Sequence, residues 1–225
     1  MSLNFSNRIL TSVILSTILF VCLFVNKFLW LYLLVITGII SFKEFNNLIQ
    51  KKFKKKKRKI LLYNLFSATY LCIFIFIAYY LNNNDPFSLL FAILICVFSD
   101  TGGYIVGKFV GGRKLTNISP NKTISGSIGS FIFSLFPLII FWLFFKEIDL
   151  NFVVDNMQKN ISQLIFMSLF LSLICQLGDL FISYFKRQAK VKDTGSILPG
   201  HGGLLDRIDG LIFVIPAAFM INILF

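Results

Sequence analysis

Seven long apolar stretches limit what this 225-residue chain can fold into. They lie at about 9–25, 28–42, 60–82, 86–107, 125–145, 161–185 and 207–225. A helix needs about 20 mostly apolar residues to cross the hydrocarbon core of a bilayer. Only 14% of the residues are charged, against about 25% in soluble domains. We therefore predict an all-α, polytopic integral membrane protein with about seven transmembrane helices, and we exclude a soluble fold and a disordered chain.

The distribution of positive charge predicts the orientation of these helices. Cytoplasmic loops of membrane proteins are enriched in Lys and Arg. If Arg8 holds the N-terminus inside and the spans alternate, three basic segments all fall inside, at 51–59, 108–124 and 186–206. Of the 22 Lys and Arg, only Lys27, Lys146 and Lys159 then fall outside. The net charge of +12 is thus read as a topology signal, and no nucleic-acid partner is expected.

The segment 51–59 carries most of the positive charge of the N-terminal region, which we define as residues 1–85 with transmembrane helices and this basic cytoplasmic loop. Two interpretations stay open for the segment. It either anchors the topology and adheres to anionic lipid, or it gathers a polyanionic substrate. Polar motifs are concentrated in residues 86–225, which are predicted to form a C-terminal catalytic membrane domain with its active site in cytoplasmic loops.

Five of the ten acids lie at the predicted cytoplasmic boundary, where a carboxylate in a span costs about 2.5–3.5 kcal/mol and faces a cavity or a partner. They are Asp100, Asp179, Asp193, Asp206 and Asp209. Each could simply form a salt bridge with a nearby Lys or Arg. However, Asp179, Ser183 and Arg187 share one helix face, and Asp206 and Asp209 share another if residues 204–210 are helical. Carboxylates that converge beside basic loops suit Mg²⁺ and phosphates.

Two glycine-rich polar segments accompany these acids. In the first, Gly103, Gly107 and Gly111 are spaced four apart, which is also typical of close helix packing. Residue types that bind phosphate follow them, namely Arg113, Lys114, Ser119, Lys122 and Thr123. In the second, the sequence PGHGG holds the only His, His201, before a predicted helix start, where backbone N–H groups bind phosphate well. We interpret His201 as a phosphate or leaving-group contact.

Both segments resemble the signatures of phosphatidate cytidylyltransferases, the CDP-diacylglycerol synthases. The downstream signature is met by Ser183, Lys186, Arg187, Lys192, Asp193, Gly195, Leu198, Pro199, His201, Gly202, Gly203, Asp206, Arg207 and Asp209. The upstream element is met by Asp100, Thr101, Gly102, Tyr104, Gly107, Lys114, Leu115, Ile118, Ser119, Pro120, Lys122 and Thr123.

The resemblance covers residues of about 97–215, and the first 90 or so match only as apolar spans. Three positions depart from the family pattern. Gly103 replaces the usual Ala, Ser125 stands where many members have Glu, and Ser130 stands where a second Gly is common. These departures concern the role of single positions within the upstream element.

The resemblance implies a phospholipid-biosynthetic nucleotidyltransferase that moves CMP from CTP to phosphatidic acid, giving CDP-diacylglycerol and pyrophosphate. It implies Mg²⁺ on Asp179 and Asp206, and it leaves open a monovalent cation such as K⁺ and a homodimer. The predicted catalytic residues are Asp179, Asp206, Asp209, Lys186, Arg187 and His201. The predicted substrate-binding residues are Asp100, Lys114, Ser119, Lys122, Thr123, Ser183, Lys192, Asp193, Gly202, Gly203 and Arg207. The expected location is a bacterial inner (plasma) membrane, with the site facing the cytoplasm.

Two other functions share some of these sequence features. A CTP-dependent polyprenol or phytol-type lipid kinase shares the membrane location and the basic glycine loops, but the intact run of Asp193, His201, Asp206 and Asp209 argues against it. A transporter with an intramembrane acidic site is disfavoured because the acids lie near one face rather than at the midplane, where transporters bind substrate.

Overall fold

The structure is a computed structural model that describes residues 14–15, 17–54, 56–145, 161–198 and 202–224. Within these ranges the chain is helical and forms no β-strand, apart from two isolated antiparallel bridges between Lys114 and Thr123 and between Leu198 and Gly202. The predicted all-α class is thus confirmed for the described part of the chain.

The helices follow each other along the chain with short connections where these are described. In order they are α1 (17–25), α2 (Lys27–Phe53), α3 (Lys57–Asn84), α4 (Pro86–Val110), α5 (Ile124–Phe133), α6 (Phe136–Phe145), α7 (Ile161–Gln188), the single turn α8 (Leu205–Ile208) and α9 (Leu211–Leu224).

Five helical segments of the described chain are long and apolar enough to cross a membrane. They are Lys27–Phe53, Lys57–Asn84, Pro86–Val110, Ile124–Phe141 and Ser162–Gln188. They correspond to the second through sixth predicted stretches. The first stretch, 9–25, lies largely outside the described residues. In the last one, α9 has 14 residues, which is short of the usual spanning length.

The basic segment 51–59 differs from its prediction as a loop. α2 continues through Lys51 and Lys52 to Phe53, and α3 begins at Lys57, so both helices extend into the charged run. Lys and Arg are good helix formers, and Lys at the end of α2 also interacts favourably with the helix dipole. The chain reverses at the other end of α3 through Asp85, whose Oδ1 accepts a hydrogen bond of 3.1 Å from the Ser88 backbone N–H.

α4 and α5 cross so closely that their backbones touch. A Cβ atom added to Gly126 would lie 2.8 Å from the carbonyl oxygen of Gly103, and one added to Gly107 would lie 3.4 Å from the Cα of Gly126. The close-packing interpretation is therefore confirmed for Gly103 and Gly107. Gly111 instead caps the end of α4 with φ +64°, a conformation that favours glycine.

The predicted stretch 125–145 forms two helices instead of one. α5 ends at Phe133 and α6 begins at Phe136, with Pro137 in its first turn. Proline has no N–H to bond the carbonyl four residues earlier, and its ring clashes with that carbonyl, so a continuous helix is disfavoured here.

Two apolar clusters hold the helices together. The first joins α2, α3, α7 and α9 through residues such as Leu48, Leu81 and Ile182. The second joins α4, α7 and α9 through Ile95, Leu171 and Val214, all of which are fully buried. α7 belongs to both clusters, so the helix that carries the start of the downstream signature lies at the centre of the bundle.

Candidate active site

The three basic segments meet at one end of the bundle. Arg187 Nε at the end of α7 donates a hydrogen bond of 3.2 Å to the carbonyl of Ile118 in the α4–α5 connection. Lys52 Nζ at the end of α2 lies 4.9 Å from the ring centroid of Tyr184 in α7. The segments 51–59, 108–124 and 186–206 therefore share one end, as the predicted alternation of spans requires.

Asp179 links α7 to the first glycine-rich segment. Its carboxylate forms an ion pair with Lys122 and accepts a hydrogen bond of 3.2 Å from Ser183 Oγ, one turn further along α7. The predicted common face of Asp179 and Ser183 is thus confirmed. Asp209 and Asp100 both lie within electrostatic interaction range of the Asp179 carboxylate. Two further acids therefore lie near Asp179, whose own counter-charge is Lys122.

Asp206 organises the second glycine-rich segment. Its Oδ1 lies 2.7 Å from Lys186 Nζ of α7. Its Oδ2 accepts hydrogen bonds from the backbone N–H groups of Thr194, at 2.8 Å, and Gly203, at 3.1 Å. Both Asp179 and Asp206 therefore have a lysine partner, so the salt bridge that the sequence left open is present at each position.

Glu44 in α2 is not among the predicted site residues, yet it binds the second glycine-rich segment, the one that Asp206 organises. It is buried, with 3% of its surface exposed. Its Oε1 accepts a hydrogen bond of 3.0 Å from the Leu204 N–H, and its Oε2 accepts one of 2.8 Å from the Leu205 N–H. Thr194 Oγ1 also lies 2.8 Å from Oε2. An acid at the end of an apolar span was the available signal, the same signal that singled out the downstream aspartates.

The closeness of the Glu44 carboxylate explains why two positions of the downstream signature are glycine. A Cβ atom added to Gly195 would lie 2.5 Å from Glu44 Oε1, and one added to Gly203 would lie 2.5 Å from Oε2. Gly202 is glycine for a different reason: its backbone has a φ of +81°, which is strained for residues with a side chain. Side chains larger than hydrogen at Gly195 and Gly203 would push the loop away from the carboxylate.

A polar cavity of about 330 Å³ lies between α4, α5 and α7, beside Asp179. Five predicted site residues line it, namely Asp100, Ser119, Lys122, Thr123 and Asp179. The polar side chains that complete the lining were not among the predicted site residues, although Tyr104 and Ser130 belong to the upstream element; they are Tyr104, Asn121, Ser127, Ser130 and Gln176. Ser127 Oγ donates a hydrogen bond of 2.6 Å to Gln176 Oε1, which fixes α5 against α7 at the cavity wall.

The remaining predicted residues lie around this centre. Lys114 pairs through its backbone with Thr123, which itself caps α5 by accepting a 3.0 Å hydrogen bond from the Gly126 N–H. Lys192 and Asp193 are exposed in the α7–α8 connection, and Arg207 is exposed in α8. His201 lies outside the described residues.

The donor chemistry at Asp179 fits a magnesium ion that shares its coordination with a substrate. Among the residues that the structure describes, no group of three or more His, Cys, Asp or Glu is placed to hold a metal ion on its own. Mg²⁺ needs no such cage, because it commonly takes one or two carboxylates and completes its shell with water and phosphate oxygens. Asp179, with Asp209 and Asp100 nearby, offers oxygen ligands of this kind.

Comparison with known proteins matches these residues to one family. The model of the cytidylyltransferase family matches residues 55–225. A Staphylococcus haemolyticus protein named phosphatidate cytidylyltransferase is 45% identical over 151 residues, covering 66% of this chain and 53% of that protein. A Staphylococcus aureus protein of the same name is 43% identical over 162 residues, covering 71% of this chain and 57% of that protein. The chain spans about half the length of the curated relatives it matches. Because the family match takes in α3 to α9 and both glycine-rich segments, this chain belongs to the cytidylyltransferase family.

Proposed function

We propose that this chain transfers CMP from CTP to phosphatidic acid, giving CDP-diacylglycerol and pyrophosphate. The observation that carries the proposal is the pair of signature carboxylates, Asp179 and Asp206, each joined to a lysine at one polar end of an apolar helical bundle. The adjoining polar cavity has room for part of a phosphate-bearing substrate. A lipid substrate would keep its acyl chains in the bilayer while its headgroup meets a soluble nucleotide at this end.

The chemistry needs charge neutralisation more than proton transfer. An oxygen of the lipid phosphate attacks the α-phosphorus of CTP, the new P–O bond forms, and the bond to pyrophosphate breaks. A phosphate monoester is already largely ionised at neutral pH, so no strong general base is required. Catalysis then depends on holding two polyanions together in the correct orientation and on stabilising the charge of the transition state.

The lysines are placed for this task. Lys122 and Lys186 are paired with carboxylates, and both side chains can turn to phosphate oxygens of the substrates. Arg187 lies next to Lys186 at the end of α7, and Arg207 is exposed beside Asp206. Together these four cations offset the repulsion between the two substrates.

Mg²⁺ would be held by Asp179 and Asp206, with Asp209 in support, and when bound it would neutralise phosphate oxygens of the nucleotide. A monovalent cation such as K⁺ beside it belongs to the same proposal. The carboxylates of this chain then have two tasks. They orient Lys122 and Lys186, and they would provide oxygen ligands to a bound Mg²⁺.

The proposed topology has seven spans, the N-terminus inside and the site at the cytoplasmic face of a bacterial plasma membrane. Support comes from the meeting of the three basic segments at one end of the bundle, because the positive-inside rule puts such segments on the cytoplasmic side. The C-terminal region 86–225 supplies the signature residues, and α2 of the N-terminal region supplies Glu44.

The test is a transfer assay on membranes that contain the full chain, supplied with CTP labelled at the α-phosphate, phosphatidic acid and Mg²⁺. We expect labelled CDP-diacylglycerol. Absence of this product from well-expressed, inserted protein would refute the proposal. Transfer of label from the γ-phosphate of CTP to a polyprenol would favour the lipid-kinase alternative instead.

A further inference from the structure

A second cavity, of about 240 Å³, lies between α2, α3, α7 and α9. Its lining includes Ser41, Ser67, Tyr70, Phe181, Phe185 and Phe213. Two of the lining hydroxyls are already paired with backbone carbonyls. Ser67 Oγ donates to Asn64 at 3.0 Å, and Tyr70 Oη donates to Ile212 at 3.2 Å. The surface offered to a ligand is therefore apolar.

This cavity adjoins the candidate active site through the chain itself. Ile182, Phe185 and Leu205 line the cavity and directly precede Ser183, Lys186 and Asp206 of the signature. Gly178 allows the close contact of α7 with α9, because a Cβ atom there would lie 2.6 Å from the ring of Phe213, another lining residue. α7 and α8 thus have the polar site on one side and the apolar cavity on the other.

A cation lies at the edge of the cavity. Lys52 Nζ is 4.7 Å from the ring centroid of Phe185, which lines the cavity, and 4.9 Å from that of Tyr184. Lys186 is the next residue after Phe185 and is paired with Asp206. An apolar cavity with a lysine at one end is complementary to an amphiphile that has an anionic headgroup and a hydrocarbon chain.

Ser41 of α2 closes part of the cavity wall and is fully buried. Its hydroxyl has no accessible surface in the cavity, so it adds no polar contact for a ligand. The interior of the cavity therefore suits hydrocarbon, and the polar end of a ligand has to lie at the edge beside Lys52.

We propose that this cavity binds an acyl chain of the lipid substrate and makes the enzyme sensitive to the length of that chain. The proposal rests on the proposed function, since it names where the phosphatidic acid of that reaction lies. Phe66 and Phe181 line the cavity with 66% and 43% of their surfaces exposed, so a longer chain can leave the cavity between them and enter the bilayer.

A matched pair of substitutions on α3 tests the proposal. Ser67→Leu fills the cavity, whereas Thr69→Leu adds a similar side chain at an exposed position two residues away. Both hydroxyls donate to the carbonyl three residues earlier, at 3.0 Å for Ser67 and 2.9 Å for Thr69, so the local hydrogen bond lost is the same. The measurement is kcat/KM for dioleoyl and dihexanoyl phosphatidic acid in mixed detergent micelles.

We expect Ser67→Leu to lower kcat/KM for the dioleoyl substrate about tenfold, as if about two methylene groups lost their burial. The dihexanoyl substrate should react at nearly the normal rate, and Thr69→Leu should change neither. An equal loss for both lipids in Ser67→Leu, or no loss for either, would overturn the proposal.

Crosslinking separates a failure of this proposal from a failure of the proposed function. The purified full chain is irradiated with phosphatidic acid that carries a diazirine on one acyl chain, and the labelled peptides are mapped. We expect labelling of α3 and α7 at the lining residues, reduced by Ser67→Leu but not by Thr69→Leu. Labelling elsewhere, or equal labelling by the matching phosphatidylcholine, would refute the acyl-chain site whether or not the protein makes CDP-diacylglycerol.

Discussion

Thr194 and Glu44 lie 150 residues apart in the chain and are joined by a hydrogen bond of 2.8 Å between Thr194 Oγ1 and Glu44 Oε2. The same hydroxyl lies 3.0 Å from Oδ2 of Asp206. One threonine thus sits between a carboxylate of the N-terminal region and a carboxylate of the downstream signature. The position of Asp206 therefore depends on α2 as well as on its own loop.

Glu44→Gln should lower kcat more than it raises the KM for either substrate. The glutamine amide keeps the size of the side chain but replaces one accepting oxygen with a donor. At least one of the buried donors that Glu44 binds, Thr194 Oγ1 or the N–H groups of Leu204 and Leu205, then loses its acceptor. Loss of a buried hydrogen bond to a charged group costs about 1.5–3 kcal/mol. We expect a kcat at least about tenfold lower in the transfer assay, together with a lower unfolding temperature in detergent. Turnover within twofold of normal would show that Glu44 does not position Asp206.

Asp179→Asn and Asp206→Asn should each reduce turnover by about a hundredfold or more, while the protein still inserts into the membrane. Each change removes a charge that holds Lys122 or Lys186 and that we assign to the metal. The measurement is CDP-diacylglycerol formation per amount of inserted protein.

Asp85→Asn is the control for these two changes. Asp85 caps α4 at the opposite end of the bundle, and asparagine is an equally good N-cap residue. The control should therefore keep most of its activity. Near-normal activity of either Asp179→Asn or Asp206→Asn would refute the assignment of that residue.

Removal of divalent cations should stop the reaction reversibly. Treatment with EDTA should abolish CDP-diacylglycerol formation, and added Mg²⁺ should restore it, because two polyanionic substrates need their repulsion neutralised. In an Asp206 variant that keeps measurable activity, the half-maximal rate should require a higher Mg²⁺ concentration than in the unmodified chain. Full activity in EDTA would contradict the metal proposal.

Gly126→Ala should destabilise the contact between α4 and α5. The added methyl group would lie 2.8 Å from the carbonyl oxygen of Gly103, and a backbone atom cannot turn aside as a side chain can. Overpacking of this kind costs about 1–3 kcal/mol, so the unfolding temperature should fall. Gly38→Ala is the matched control, since its methyl group would meet only the end of the Ile75 side chain, at 2.7 Å. Equal thermal stability of the two variants would show that the helices can separate without cost.

The parts of the site that sequence reasoning predicted are those encoded locally. The common face of Asp179 and Ser183 follows from helical periodicity, and the close packing at Gly103 and Gly107 follows from glycines spaced four apart. Glu44 was missed because its partners lie 150 and more residues away. Gln176 was missed because one amide in an apolar span carries no motif, although Ser127 Oγ donates to it at 2.6 Å. The extension of α2 into the lysines could not be predicted from charge alone, because a run of Lys residues is compatible with a loop and with a helix end.

The glycines where α4 crosses α5 limit how the polar cavity can be reshaped. Gly103 and Gly126 line the polar cavity together with side chains of the same two helices, such as Tyr104 and Ser130. A larger residue at Gly126 would separate the helices. Any widening or reshaping of the cavity during evolution or engineering must therefore come from the side chains around the glycines, such as Tyr104, Ser130 or Gln176 of the facing α7, and not from the glycine positions.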